Sequence, residues 1–256
     1  MEKITSRRNP LCVHIKKLGA DRGYRDSCGQ FLCDGIKLLE EAVTYGAEII
    51  AVLTASNVPF PLPVDAKVYR ADRSIISSLS PLKNAQDTLF TCSVPKDNTD
   101  TDTQAYAHVT QILLDGVQDP GNVGTIIRTA NAFAIGCVLL TSGCADPYNP
   151  KTIRASMGAV FRQRVRRMDL SGLKGLKAGG ARFVGAATSA GEGCIDLSCA
   201  ALEGAIIAIG SEGRGLSESV LMLCDETVTI PIAPECESLN AAVAAAIIMW
   251  EARRQS

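Results

Sequence analysis

The chain has 256 residues and a mass of 27.1 kDa, which is room for one large domain or two modest ones, each with a buried core. Hydrophobic residues make up 46% and charged residues 21%, close to the globular average, so the composition excludes wholesale disorder. The formal net charge is −1, but the charges are unevenly distributed along the chain.

The sequence predicts a cytoplasmic protein. The longest apolar run, from Ala241 to Trp250, is only half of the about 20 residues that span a bilayer, so we expect no membrane helix. The first residues, Met1 to Arg8, lack the apolar stretch of a secretory signal, and the ten cysteines are therefore expected to be reduced thiols. Without a Cys-x-x-Cys pair and with only two histidines, we expect neither a metal site nor a histidine-based triad.

Residues 1–94 predict a small α/β unit. A strand at Phe31–Cys33 is followed by a helix from Ile36 to Tyr45, in which apolar residues recur at helical spacing. A β-branched strand follows at Ile49–Leu53, and another strand at Val68–Arg70 precedes a helix that begins near Asp72. The next residues, 95–106, are polar and rich in Thr and Asp, so they predict a linker.

Residues 107–256 alternate between strand and helix patterns. The pattern predicts strands at 109–114, 137–141, 182–186, 205–209 and 227–230, and helices at 123–134, 152–161 and 239–253. Apolar strands separated by helices are typical of a parallel sheet that is covered on both faces. Ligands bind such sheets beside the carboxyl ends of the strands, so the loops after the strands are the candidate functional sites.

The loop from Asp115 to Gly124 directly follows a predicted strand. Asn122 is placed to cap the helix after it. Arg128 stands off the buried face of that helix, near its beginning. A capped helix with one exposed arginine is the alternative interpretation.

The loop from Gly210 to Ser217 has three glycines in six positions, which permit close backbone approach to a ligand. Its spacing, G-x-x-G-x-G, differs from the dinucleotide fingerprint, and Leu216 stands where a phosphate loop has lysine. Glu212 lies inside this tight turn, for which a purely structural role is the alternative.

The loop from Ile230 to Asn240 precedes the terminal helix, and Ser238 is a candidate cap. The helix is small or apolar nearly all round, so it must be buried against something large. Packing within the chain and packing against a second copy would both meet this requirement.

Basic residues cluster in two separate parts of the chain. Residues 1–30 contain seven basic and three acidic residues, a net charge of +4, while residues 151–167 contain six basic residues and no acidic one. Such clusters suit a polyanion, because each phosphate contact releases condensed counterions. A solvated helix face is the alternative for either cluster alone, but the two together favour nucleic acid.

The three loops resemble the three ordered motifs of the SpoU (TrmH-like) RNA 2′-O-ribose methyltransferases, which belong to the SPOUT superfamily. The residues that carry the resemblance are Asn122-x5-Arg128, Gly210–Gly215, Ile230-Pro231 and Ser238-Leu239-Asn240. The resemblance covers about residues 109 to 254.

The first unit is similar to the substrate-binding domain that is common in this family. Residues 6–10, Ser-Arg-Arg-Asn-Pro, and 31–35, Phe-Leu-Cys-Asp-Gly, match its usual opening. The family more often has Glu where this chain has Asp34, and Arg where it has Lys37.

The resemblance implies an α/β fold: a SPOUT-type parallel sheet with a C-terminal trefoil knot, preceded by a small α/β RNA-substrate-binding domain. It implies that S-adenosylmethionine lies bent in the knot, held by backbone groups at Gly210, Ile230 and Leu239, with Gly215 permitting close approach. It also implies a homodimer, whose active site lies beside the partner subunit.

The resemblance assigns Arg128 to the ribose 2′-hydroxyl, as the group that assists deprotonation. Because a guanidinium stays charged up to a pH of about 12, binding the target phosphate and stabilising the developing alkoxide is an equally physical role. Asn122 and Glu212 would position Arg128, and Ser238 with Asn240 would line the donor and ribose pocket.

The RNA backbone would be held from one side by Arg154, Arg164 and Arg166, and from the other by Arg7, Arg8 and Arg25. The two-domain arrangement favours ribosomal RNA over transfer RNA. A non-catalytic RNA-binding protein is the alternative function, although it would not need Arg128, Glu212 and Asn240 together. A dinucleotide-binding oxidoreductase would need the fingerprint that is missing here.

Overall fold

The computed structural model describes residues 2–95, 109–187 and 194–255. The chain forms two compact units, one made of Met1–Lys96 and Asp146–Arg162, the other of Asp97–Ala145 and Gln163–Ser256. The predicted linker lies outside the described residues except for Pro95. The units differ from the predicted domains in one segment, 146–162, which packs with the first unit although the sequence pattern assigns it to the second.

A five-stranded sheet with the order β1-β4-β3-β5-β2 forms the centre of the first unit. Only β5 runs antiparallel to its neighbours, so the carboxyl ends of β1, β4, β3 and β2 share one edge of the sheet. The strands are β1 (Glu2–Ile4), β2 (Gln30–Asp34), β3 (Ile49–Thr54), β4 (Lys67–Ala71) and β5 (Thr88–Ser93).

Helices cover both faces of this sheet. The helices of the N-terminal segment are α1 (Pro10–Ala20), α2 (Arg22–Cys28), α3 (Ile36–Thr44) and α4 (Arg73–Leu79). Leu32 packs with residues of α1 and α4, whereas its neighbours Phe31 and Cys33 pack with residues of α3. This alternation is the two-residue period of a strand that is buried on both faces.

The segment 146–162 completes the core on the α3 side. It contains α6 (Pro150–Ser156) and a 3-10 turn at Ala159–Phe161. Ile153 and Val160 are buried in the same cluster as Phe31 and Phe90, which gives this segment its place in the first unit.

The second unit contains a seven-stranded parallel sheet with the order β10-β12-β9-β11-β6-β7-β8. Its strands are β6 (Gln111–Asp115), β7 (Val138–Leu140), β8 (Val165–Arg167), β9 (Phe183–Ala187), β10 (Cys194–Asp196), β11 (Ile206–Gly210) and β12 (Glu226–Thr229). The predicted parallel sheet is confirmed, and the short edge strands β8 and β10 are additions to it.

The helices of the second unit are α5 (Pro120–Ala132), α7 (Leu170–Ala178), α8 (Glu218–Leu221) and α9 (Ala241–Gln255). Leu173 of α7 and Val220 of α8 share a core cluster with Leu113 and Ala208 of the central strands. The terminal helix α9 packs against α5 and β11. Within the described ranges, no helix is both long and apolar enough to span a membrane.

Candidate active site

The two central strands of the second unit end side by side. Gly210, the last residue of β11, pairs in register with Asp115, the last residue of β6. The glycine-rich loop and the loop leading into α5 therefore start at neighbouring points of the sheet, as expected for a ligand site of a parallel sheet.

Three polar side chains from the three predicted loops form one hydrogen-bonded cluster. Asn122 donates through Nδ2 to Oε1 of Glu212. Nδ2 of Asn240 lies 3.0 Å from the same Oε1 and 3.2 Å from Oδ1 of Asn122, and it donates to both. The backbone N–H of Ala241 adds a donor at 3.4 Å to Oε1. We call these three residues, Asn122, Glu212 and Asn240, the polar cluster.

The first residues of α5 and α9 explain why the side-chain amides of Asn122 and Asn240 bind Glu212. Asp119 caps α5 by accepting the backbone N–H of Asn122 at 2.9 Å, with Pro120 as the first helical residue. The prediction of Asn122 as the cap is therefore wrong, and its side chain is left to bind Glu212. Asn240 caps α9, because its Oδ1 accepts the backbone N–H groups of Ala242 and Val243.

Ser238 was predicted as the cap of the terminal helix, and this is also wrong, since Asn240 occupies that place. Ser238 instead lines the cleft described below. The error has a local cause, because Ser and Asn both have high cap propensity and stand two positions apart.

The glycine-rich loop folds back on its own strand. Ser211 and Gly215 exchange backbone hydrogen bonds of 3.1 and 2.9 Å, and Gly215 has a φ of +65°. A Cβ atom at Gly210 would overlap the backbone of Gly215. The tight turn therefore requires glycine at position 210, and it carries Glu212 towards the other two loops.

Asp115 anchors the end of this loop, although the sequence analysis did not single it out as a site residue. Its buried carboxylate accepts the backbone N–H of Ser217 at 2.7 Å and the hydroxyl of Thr141 at 3.1 Å. The signal in the sequence was an acidic residue at the end of an otherwise apolar strand.

An open cleft with a cavity volume of about 70 Å³ lies beside the polar cluster. All four predicted cofactor residues line it, together with Glu212 and Ser238. The lining also includes Ala186 and Ala187 at the end of β9, which the sequence analysis missed because small apolar residues carry no motif. Its lining residues are Ala186, Ala187, Ile209, Gly210, Ser211, Glu212, Gly215, Val228, Ile230, Ile232, Ser238, Leu239, Ala241, Ala244 and Ile248.

The lining of the cleft is mostly apolar. Ile230, Ile232 and Leu239 are among its apolar residues, and Ser211, Glu212 and Ser238 are its polar ones. A mostly apolar lining with a few polar groups is typical of small-molecule sites.

Arg128 lies on α5 about a turn and a half beyond Asn122, and it is exposed. Among the described residues it has no hydrogen-bond or ion-pair partner. Asn122 and Glu212 bind each other and Asn240, so a role of these two residues in positioning Arg128 stays a prediction.

Comparison with known proteins identifies the family. The model of the SpoU rRNA Methylase family matches residues 110–250, a stretch that contains all three loops. The chain belongs to this family.

Relatives resemble the chain over nearly its whole length. It is 32% identical to the 23S rRNA (guanosine(2553)-2′-O)-methyltransferase RlmP of Bacillus subtilis, over 99% of this chain and 100% of the relative. It is 28% identical to the 23S rRNA (uridine(2479)-2′-O)-methyltransferase of Streptomyces viridochromogenes, over 99% and 92%. The crystal structure of the SpoU methyltransferase AviRb of that organism, in complex with the cofactor AdoMet (S-adenosylmethionine), has a TM-score of 0.85 at 27% identity, over 97% of this chain and 98% of that one.

One of the predicted RNA contacts of this SpoU-family protein must be corrected. Arg25 is only 3% exposed, and its Nη2 lies 2.6 Å from the carboxylate of Asp146. Its Nη1 also donates to the backbone oxygen of Leu18 at 2.7 Å. The guanidinium is thus committed to the core of the first unit, and Arg25 is withdrawn as an RNA ligand.

The other predicted RNA-binding arginines are divided between the two units. Arg7, Arg8 and Arg154 are exposed and belong to the first unit, so Arg154 lies with the N-terminal arginines and not opposite them. Arg164 and Arg166 are half-buried, in and beside the edge strand β8 of the second unit.

Proposed function

We propose that this SpoU-family protein transfers a methyl group from S-adenosylmethionine to a ribose 2′-hydroxyl of large-subunit ribosomal RNA. The observation that carries the proposal is the polar cluster at the rim of the cleft, because it joins one residue from each of the three loops. Both relatives described above are named for 2′-O-methylation of 23S rRNA, which supports this substrate class.

S-adenosylmethionine, when bound, supplies a methyl group that its sulfonium charge already activates. Gly210, Gly215, Ile230 and Leu239 would hold it, since they line the apolar part of the cleft. The work left to the chain is to orient the ribose, to exclude water and to accept or stabilise the charge that develops on its oxygen.

The polar cluster serves as a positioning device. Oε1 of Glu212 already accepts three hydrogen bonds, which fix the glycine-rich loop relative to the beginnings of α5 and α9. Ser238 and Asn240 would line the ribose side of the cleft. Three loops held by one carboxylate oxygen give the site the rigidity that in-line transfer requires.

Arg128 supplies the charge for the reaction. Its exposed guanidinium would bind the target phosphate and stabilise the alkoxide that develops on the ribose oxygen, while the proton of the 2′-hydroxyl leaves to solvent water at the open cleft. Its freedom from protein partners, among the described residues, leaves its donors available for the substrate.

The proposal includes a C-terminal trefoil knot and a homodimer. The knot is supported by the residues in 210–215, 228–232 and 238–248 that line one cleft.

The dimer is supported by an apolar face on α9, where Val243, Ile247 and Trp250 are exposed at helical spacing. The first unit is the RNA-substrate-binding domain in this proposal, and the protein works in the cytoplasm.

Transfer of a labelled methyl group tests the proposal. Large-subunit rRNA, small-subunit rRNA and tRNA are prepared from a strain that lacks the gene, incubated with the protein and labelled S-adenosylmethionine, and digested to nucleosides. A 2′-O-methylated nucleoside in the large-subunit fraction is expected. Incorporation only into tRNA, or none in any fraction while the donor binds, would contradict the proposed substrate.

A further inference from the structure

A loop of the first unit lies at the edge where four parallel strands end, and it contacts the ends of two of them, β2 and β3. This loop, residues 80–87, connects α4 to β5, and we call it the edge loop. The backbone oxygen of Asp87 accepts the N–H of Ala55, just beyond β3, at 2.9 Å. The carboxylate of Asp87 lies 2.8 Å from Nε of Arg73, the first residue of α4.

Asp34 fixes the other contact of the edge loop. This carboxylate, at the end of β2, is only 7% exposed. The hydroxyl of Ser80 donates to one of its oxygens, and the backbone N–H of Gln86 donates to the other at 3.1 Å. One buried side chain thus holds both ends of the loop, while Lys83 and Asn84 at its middle are exposed.

The charges at this edge are unbalanced in favour of cations. Of its acidic residues, Asp34 is buried, Asp72 pairs with Lys3 at 3.8 Å, and Asp87 pairs with Arg73. Within the described ranges, five exposed basic side chains at or next to the edge make no ion pair: Arg7, Arg8, Lys37, Lys83 and Arg154. Arg154 is placed here by its helix, α6, which packs against β2. Burial raises the pKa of Asp34, and the hydrogen bonds from Ser80 and Gln86 and the charge of Arg154 act against this.

We propose that the edge loop reads unpaired bases of the substrate RNA through Lys83 and Asn84, while Arg7, Arg8 and Arg154 hold the neighbouring phosphates. The inference rests on the proposed function and names the surface that selects the RNA. Four strand spacings make the edge about 19 Å wide, which suits a short unpaired stretch. An asparagine amide offers a donor and an acceptor to the exposed edge of a base, and in RNA such edges are accessible in loops.

Lys83→Glu and Lys67→Glu form a matched pair of variants. Both lysines are exposed, but Lys67 begins β4 and therefore lies at the opposite edge of the same sheet. We expect Lys83→Glu to weaken binding of large-subunit rRNA by about tenfold or more, and Lys67→Glu to leave it within about twofold. Donor affinity, thermal unfolding and kcat at saturating RNA should match the wild type in both variants, so the loss appears in KM.

Two milder variants separate phosphate contact from base reading. Lys83→Ala should leave the slope of log affinity against log salt unchanged, because the proposed contact of this lysine is with a base; a slope reduced by about 1 would show a phosphate contact and contradict base reading by Lys83. Asn84→Ala should leave the salt slope unchanged. It should reduce the ratio between the affinity for the single-stranded rRNA fragment that contains the methylation target and the affinity for the same fragment paired in a duplex. Lys83→Arg should retain binding.

Equal binding by Lys83→Glu and Lys67→Glu would overturn the inference, and so would an Asn84→Ala variant with unchanged fragment preference. Binding is measured without methyl transfer, so its outcome is independent of the proposed activity. A wild-type protein that binds rRNA through the edge loop but transfers no methyl group would refute the proposed function alone.

Discussion

Asn240 performs two tasks with the two ends of one amide. Its oxygen caps α9, and its Nδ2 donates to Glu212 and Asn122. The beginning of the terminal helix and the geometry of the site are therefore set by the same residue. Arg128 is the opposite case, an exposed side chain whose removal costs the described fold no hydrogen bond or ion pair.

Replacing Asn240 separates its two tasks. Asn240→Asp keeps a good cap but places a carboxylate against Glu212, so methyl transfer should fall by about tenfold or more with little loss of stability. Asn240→Ala loses the cap as well, and unfolding free energy should fall by about 1 kcal/mol. Urea denaturation and methyl transfer measure the two effects. Full activity of Asn240→Asp would show that the amide does not organise the site.

Arg128→Ala should abolish methyl transfer while S-adenosylmethionine still binds, because the guanidinium acts on the RNA and not on the cleft that holds the donor. Calorimetric titration of the donor and methyl transfer to rRNA are the two measurements. Arg253→Ala, an exposed arginine on α9, is the control and should retain activity. Loss of donor binding in Arg128→Ala would count against its assignment to the substrate side.

At the scale of elements, the site depends on a turn that has no room for a side chain. The glycine-rich loop returns to its own strand at Gly210, and Asp115 holds its far end through Ser217. These contacts place Glu212 opposite the beginnings of two helices. The loop is thus a rigid connection between β11 and the cleft, which a local change can disrupt.

Gly210→Ala and Gly213→Ala test this rigidity within one loop. A methyl group at Gly210 would overlap the backbone of Gly215, whereas one at Gly213 would meet no atom within 4 Å. Donor affinity should fall by about tenfold or more in the first variant and stay near the wild type in the second. Equal donor affinity of the two variants, by titration, would show that the turn can open without cost to the cleft.

For the whole molecule, the terminal helix carries the exposed apolar face on which the proposed dimer rests. Ala245, Ile248 and Met249 are buried within the chain, but Val243, Ile247 and Trp250 remain exposed, with Trp250 56% accessible. The ring centroid of Phe133, the residue after α5, lies 5.8 Å from that of Trp250, so Phe133 adds to this face. A surface of this kind is typical of an interface between copies.

Light scattering should report about twice the chain mass for the wild type, and the mass of a single chain for Ile247→Glu. A charge on the exposed apolar face should prevent association without entering the core. Val13→Glu, at an exposed apolar position of α1, is the control and should stay dimeric. A wild type that is monomeric at micromolar concentration would exclude the dimer.

Much of the element order was accessible from hydrophobic periodicity. The strands β3, β6 and β11 and the helices α3, α5 and α9 lie within a few residues of their predicted places, because each buries a regular apolar pattern. The residues that cap the helices were harder to predict from the sequence. Choosing Asp119 over Asn122, and Asn240 over Ser238, requires knowing which side chain has another partner.

The sequence by itself determined that the chain has two α/β units, that the second contains a parallel sheet, and that three loops carry the site. The units and the sheet follow from local hydrophobic patterns, and the loops from the places where the strands end. Only the tertiary structure decided that Arg25 is buried against Asp146, 121 residues away, and that segment 146–162 joins the first core. It also decided that Glu212 binds Asn122 across 90 residues. Pairings at such separations are set by the packing of whole elements, which no local spacing encodes.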